Sequence, residues 1–351
     1  MGAAAALAAA RSKGVTLLVH MSAGDSISRL VKGPFAYVAA DSHYDGVYYY
    51  AIARDPLARG AAHRLIDLGA YRYGHPGYGW LAFLASGGGQ ARAVPYALLF
   101  VTLLGMGVAG WAAGVLALDL GMSPWWGLAI ALNPGLLFAV SADTGESVQV
   151  ALMLLAFLAW LRGRWLWAGV VITLGCFTKE ALLLLPLGLF LWEALRFALG
   201  ERPTDVGRRL AALVCGPVLY GVWVAYCLHV FGALPQGQGA FNLDAPFTGW
   251  VGTFQKAQAM VLEGGGQVGM PAVALLTSLG GLLILGVVRA LRVRSLVDPF
   301  FVLLTIVALC TNFNVLLFPK DLIRMVALTG ALLPFVIAGR MPSVAARPGR
   351  C

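Results

Sequence analysis

Charge is scarce in this chain. Asp, Glu, Lys and Arg make up 12% of its 351 residues, about half of what a water-soluble domain carries, so a soluble globular fold is excluded at the outset. Cysteine is sparse and unpatterned. Cys176, Cys215, Cys227, Cys310 and Cys351 are odd in number and lack metal-type spacing, which argues against both a zinc site and a disulfide framework. No Walker loop, dinucleotide fingerprint, His-Glu-x-x-His or nucleophile elbow occurs. Internal repeats are absent too, so the inverted-repeat transporter plan gains no support. No linker or low-complexity block separates a second domain, and residues 1–351 read as a single integral membrane domain.

What fills the chain is apolar. Hydrophobic residues reach 60% and mean hydropathy is +0.80. Runs approaching the length that crosses a hydrocarbon core of about 30 Å recur along it. The expected fold is all-α, a polytopic helical membrane protein with about ten spans. They lie near Ala3 to Met21, Ala93 to Leu118, Trp125 to Val140, Val148 to Leu161, Trp165 to Phe177, Ala181 to Leu195, Leu210 to Val230, Pro271 to Val288, Phe300 to Leu317 and Met325 to Ala338. The first is interrupted by Arg11 and Lys13; it reads either as a span whose start lies upstream, the favoured reading, or as a poor signal peptide. Between spans, arginines gather in alternate loops: Arg162 and Arg164; Arg196, Arg202, Arg208 and Arg209; Arg289, Arg292 and Arg294; and a tail with Arg340, Arg347 and Arg350. Cations on one side of short loops fix an inside face, giving both termini inside. The net charge of +9 then reflects topology and contact with anionic lipid, and no nucleic-acid partner is expected. Residues 22–92 form a long first extracytoplasmic loop with interfacial helices. Residues 231–270 form a second.

The other face collects chemistry. The first loop carries Asp41 and then Asp45-Gly46 ahead of Tyr48, Tyr49 and Tyr50. Further on it holds Tyr71-Arg72-Tyr73. Tyrosines present flat apolar faces with polar tips, suited either to a sugar or to the membrane interface; Asp45 itself could equally cap the helix that follows. Asp143 and Glu146 bracket a tight turn between apolar helices. There an ionisable group is a functional candidate, or else compensates a helix dipole. Lys179-Glu180 is squeezed between two more helices and could be a self-satisfied pair. Lys320 and Arg324 share a helix face four residues apart. Guanidinium forks suit phosphate oxygens, although interfacial cations also snorkel. Taken together, these groups suit attack on an anionic lipid-linked substrate: a carboxylate takes a proton from a hydroxyl while cations hold a phosphate leaving group.

Several of these segments resemble a known family. Tyr44-Asp45-Gly46-Val47-Tyr48-Tyr49-Tyr50-Ala51-Ile52-Ala53 resembles the aspartate motif in the first outer loop of GT-C glycosyltransferases. The similarity is to the branch containing the second mannosyltransferase of GPI-anchor synthesis and its bacterial relatives. Asn133-Pro134 through Ser141, Thr144-Gly145-Glu146-Ser147, Phe177-Thr178-Lys179-Glu180 and Tyr71-Arg72-Tyr73 are similar to further motifs of that branch. The resemblance covers roughly residues 41–186, with an echo at Asp321 to Arg324. Gly46 stands where a second acid is usual, and Lys179 where arginine is common.

The resemblance implies a membrane glycosyltransferase of the bacterial plasma membrane, active on the extracytoplasmic side. It would transfer mannose or a similar hexose, with inversion, from a polyprenyl-phosphate donor to a lipid, glycan or protein acceptor. Asp45 matches the catalytic aspartate. Arg324 and Lys320, with Lys179, would hold the donor phosphate, and Glu146 would position acceptor or sugar. Tyr48, Tyr49, Tyr71 and Tyr73 would line the groove, with Asp41, Arg72 and Glu180 as further substrate contacts. A divalent metal is compatible with the family. The competing readings are a lipid-linked sugar carrier or flippase, and a non-catalytic subunit of a cell-envelope complex.

Overall fold

The computed structural model describes residues 3–202, 204–264, 266–292 and 295–338. Arg294, Arg340, Arg347, Arg350 and Cys351 lie outside the described residues. The fold is all-helical, with no strand among the described residues. Four helices are long and apolar enough to cross a membrane: Val94–Asp119 (α5), Glu180–Ala198, Val206–Phe231 (α11) and Gly269–Arg292. The second is a 3-10 turn, Glu180–Leu183, running into α10, Leu184–Ala198. The fourth is most of α14, Gly266–Arg292. Each 26-residue helix extends about 39 Å at 1.5 Å per residue, more than the hydrocarbon thickness, so each is long enough to cross with some tilt. Large apolar side chains face outward: Leu166 is 78% exposed, Trp125 74% and Ile284 66%. Apolar surface on this scale belongs in hydrocarbon rather than water.

Several expected spans are interrupted, each for a local reason. The stretch Trp125 to Val140 divides into Trp126–Ala131 (α6) and Pro134–Ala142 (α7). The break is at Asn133, whose side chain accepts from the Gly135 amide at 2.8 Å, ahead of Pro134. A side-chain cap followed by proline at the first helical position starts a new helix. Phe300 to Leu317 divides into Asp298–Leu309 (α15) and Phe313–Leu316 (α16), with Asn312 capping the second piece. The last stretch begins with Pro319–Met325 (α17) and bends by 53° into Ala327–Ala338 (α18); the two form a fifth spanning candidate. Glu146–Leu161 (α8), Trp165–Cys176 (α9) and α15 are shorter apolar helices. Near the start, Ala3–Lys13 (α1) ends before a separate 3-10 helix, Val15–Val19, whose Leu18 and Val19 are buried in protein.

The first long loop places one helix inside the protein rather than on its surface. Its Gly46–Arg54 helix (α2) is buried from Gly46 to Ala53. It packs against Gly77–Ala85 (α4) and α5. Gly69–Tyr73 (α3) is held by Pro235–Gly239 (α12) of the second loop. Downstream, Thr248–Leu262 (α13) lies along α14.

The polar residues sort to two ends of this bundle. One end has Arg162 on Asp119 at 3.1 Å, joining the ends of α8 and α5, and Arg209 on Glu193 at 2.7 Å, joining α11 to α10. The opposite end carries Asp45, Glu146, Glu180 and Arg324.

Candidate functional site

Asp45 precedes α2, but its side chain makes no capping bond. Its carboxylate turns instead to two arginines. Oδ2 accepts from Arg324 Nη1 at 2.8 Å and Oδ1 from Arg72 Nη1 at 3.2 Å. What fixes it there is the next residue. A β-carbon on Gly46 would stand 2.6 Å from the Val19 carbonyl oxygen and 2.8 Å from that of Ala142. Only glycine permits this approach, so the start of α2 is wedged between the 3-10 helix and the end of α7. A second acid at position 46 has no space.

Arg324 is the hub. It rises from α17, and its side chain is only 10% exposed. Nε donates to Glu146 Oε1 at 2.8 Å, and Nη1 donates also to the Tyr44 hydroxyl at 2.7 Å. The Tyr44 hydroxyl in turn donates to Asp321. Glu146 opens α8 and is 2% exposed, with its other oxygen unpartnered among the described residues. One guanidinium therefore joins segments separated by 279 and 178 positions in the chain. Snorkelling is set aside for Arg324, which is drawn inward. Lys320 is exposed, with Nζ 4.4 Å from the centre of the Tyr44 ring.

Burial by itself would raise the Asp45 carboxyl. The Arg324 and Arg72 guanidiniums outweigh that and hold it below the usual carboxylate range. In this arrangement Asp45 is an anion with both oxygens occupied. The Nη2 groups of Arg72 and Arg324 make no hydrogen bond among the described residues. Neither Lys179 nor Lys320 lies within 4 Å of a carboxylate there. Cationic donors thus remain to spare beside an engaged acid.

The other expected residues fall into three groups. Arg72 (α3) belongs to the cluster. It lies 3.6 Å over the Tyr48 ring and reaches Asp67 at 3.4 Å. Tyr71, Lys179 and Glu180 stand at its edge. Glu180 pairs with His75 Nδ1 at 2.9 Å and not with its neighbour Lys179, while the Tyr71 hydroxyl accepts from Asn242 at 3.1 Å. Tyr49 is buried, its ring against Tyr78 and His75. Tyr73 corrects the expectation of a groove residue: it is fully buried, and its hydroxyl donates to the Asp55 carbonyl at 2.7 Å. Asp41 also stands apart. It is exposed and accepts from the Ser42 hydroxyl at 3.3 Å.

Tyr44 and His75 carry contacts that sequence reasoning passed over. Tyr44 adjoins Asp45 and could have been found by position. His75 had no such signal, because its partner lies 105 residues away. Asp143 is fully buried with both oxygens unpartnered among the described residues, and burial pushes its carboxyl well above the usual range.

As for a divalent metal, no group of three or more His, Cys, Asp or Glu side chains converges among the described residues, and the Asp45 oxygens are taken by guanidiniums. These side chains do not make an ion cage of their own. No protein-family model, curated protein or solved structure matches the chain, so its site is read from its own geometry.

Proposed function

We propose that the protein is a GT-C-type membrane glycosyltransferase that moves a sugar, mannose or a similar hexose, from a polyprenyl-phosphate donor to a hydroxyl of a lipid, glycan or protein acceptor. The observation that carries this reading is the Arg324 hub: a carboxylate held between two guanidiniums that keep unused donors, at one end of an apolar bundle. Arginine forks pair with phosphate oxygens. Donor phosphate on the free Nη2 groups, with Lys320 and Lys179 adding charge, competes with Asp45 for Arg324 and loosens the carboxylate. Asp45 then takes the acceptor proton. The acceptor oxygen bonds to the anomeric carbon as the bond from that carbon to the phosphate oxygen breaks. Its electron pair leaves with the phosphate, and attack from the opposite face inverts the centre. Binding both substrates at one site supplies much of the rate.

The reading includes about ten passes, with the shorter apolar helices crossing as tilted or broken spans, and an extracytoplasmic site in a bacterial plasma membrane. The test is purified protein with synthetic polyprenyl-phosphate sugars, scored for release of polyprenyl phosphate. Asp45→Asn, folded and expressed, should lose roughly 10²–10⁴-fold in turnover. Near-normal turnover removes Asp45 from the role. Translocation of intact donor without cleavage would instead support a carrier.

A further inference from the structure

His20 follows the 3-10 helix Val15–Val19 in a left-handed backbone conformation, with φ 53° and ψ 39°. Its half-buried ring meets two main-chain carbonyls. Nδ1 lies 3.0 Å from the Ser42 oxygen and Nε2 3.1 Å from the Ser141 oxygen. A carbonyl oxygen only accepts. A neutral imidazole has one N–H and one bare lone pair, so it serves one of these oxygens and turns the lone pair on the other. The imidazolium donates from both nitrogens. Two acceptors at opposite ends of one ring therefore select the protonated form.

Both carbonyls belong to the parts that seat Asp45. Ser42 opens the turn that leads to Asp45, and Ser141 adjoins Ala142 at the end of α7. The His20 carbonyl also accepts from the Tyr44 amide at 3.2 Å. Gly46 is wedged against the carbonyls of Val19 and Ala142, the chain neighbours of His20 and Ser141. His20 thus ties the two walls of that wedge to each other and to the turn that enters it. The Tyr44 ring stands edge-on to the imidazole at 6.4 Å. Of the elements packed on this 3-10 helix, α1 carries Arg11 and Lys13, α2 carries three tyrosines and Arg54, and α5 carries Tyr96 and ends at Asp119. The turn itself adds Asp41 and Asp45, and Asp143 follows α7. Among the described residues, no carboxylate comes within 4 Å of the His20 ring; the histidines so paired are His43, His63 and His75.

We propose that His20 is a positioning residue that seats Asp45 only while its ring is protonated, so that rising pH releases the site. The inference rests on the transferase reading and names a regulation of the same site. Histidine is the side chain whose charge changes in the physiological range. With one proton gone, the remaining N–H serves Ser141, and the exposed Ser42 carbonyl turns to water. The turn ahead of Asp45 then loses its anchor. The sign is opposite to that of Asp45 itself: the base needs to be deprotonated and fails at low pH, whereas the clamp needs its proton and fails at high pH.

The test uses the full chain in detergent. Nitrogen–proton NMR of protein carrying 15N-histidine reads the ring, and the signal missing from His20→Asn identifies it. Asparagine tolerates the left-handed backbone. At pH 6 the His20 ring should show two N–H protons, both slow to exchange with water, and one should vanish as pH rises to 9. His20→Asn should unfold at least about 2 °C below the parent at pH 6, with the gap narrowing by pH 9, because stability linked to a bound proton is lost as pH rises. In donor turnover its kcat should be roughly tenfold lower at pH 6, again converging with the parent at pH 9, while KM for the donor stays near the parent's because the arginines are untouched. His20→Gln, which keeps a donor for Ser141 alone, should show at pH 6 the kcat that the parent shows at pH 9, and it decides the matter if the asparagine variant fails to fold. A ring with a single proton at pH 6, or folded variants whose gap to the parent is the same at pH 6 and pH 9, overturns the proposal. Either result with Asp45→Asn inactive removes the clamp alone. Normal transfer by Asp45→Asn removes the transferase reading instead.

Discussion

Replacing Arg324 with alanine strands a buried carboxylate, and the size of that effect can be worked from the site. Glu146 is 2% exposed and has a guanidinium at 2.8 Å. At an effective dielectric near 20, a unit pair at this separation attracts by about 6 kcal/mol. Desolvation offsets part of this, and removing one partner of a buried pair costs about 3–5 kcal/mol. Asp45 keeps Arg72 at 3.2 Å, so most of the loss falls on Glu146. Arg324→Ala should therefore lower the thermal midpoint in detergent by on the order of 5–10 °C. The charge argument has its own control: Glu146→Gln in the Arg324→Ala background removes the stranded charge and should restore much of the midpoint. The four proteins form a double-mutant cycle with a coupling of at least about 1 kcal/mol. A midpoint for Arg324→Ala within about a degree of the parent, or no recovery in the double variant, would refute the reasoning.

Three further outcomes follow from the same geometry. Gly46→Ala puts a β-carbon against two backbone carbonyls; it should cost about 1–3 kcal/mol by overpacking and displace Asp45, which thermal unfolding and donor turnover measure together. Asp45 is depressed in the folded state, so its contribution is present above the unfolded carboxylate value near 4 and lost as pH falls below it; unfolding midpoints from pH 6 to 3 should drop more steeply in the parent than in Asp45→Asn. Asp143 is shifted the opposite way, so ionisation opposes folding and stability falls as pH rises above about 4; Asp143→Asn should be more stable than the parent at pH 8, with the gap closing near pH 4, and an equal gap at both would show that burial does not govern this acid.

How much was legible follows from which forces act locally. Apolar runs and arginine-bearing loops announce membrane helices because hydrocarbon demands about twenty apolar residues in a row. The long helices Val94–Asp119 and Val206–Phe231 accordingly fall where the composition puts them. The interruptions at Asn133-Pro134 and at Asn312 were written in the sequence as capping residues, but the apolar signal around them ran on uninterrupted. Burial of α2 could not be read from its tyrosines, because an aromatic run serves a core and an interface equally well. Only the surroundings, with Gly46 against Val19 and Ala142, decide between them.

The site itself was legible by residue type and not by role. Asp45, Glu146 and Arg324 each had an ordinary local use, as cap, dipole partner or interfacial cation. Each use would have been satisfied within a few residues of its own backbone. Two are not taken and the third is exceeded: Asp45 makes no cap, Arg324 is drawn in from the surface, and Glu146, although it sits in the first turn of α8, also reaches across to α17. Ionic groups bonded far from home across a mostly apolar bundle carry a desolvation cost that local bonding would have avoided. Stability alone does not require this arrangement, since apolar residues of similar volume would pack the same junction at no electrostatic cost. Under the proposed function the wiring has a use: guanidinium donors still unused, beside a carboxylate that a donor phosphate would compete with for them.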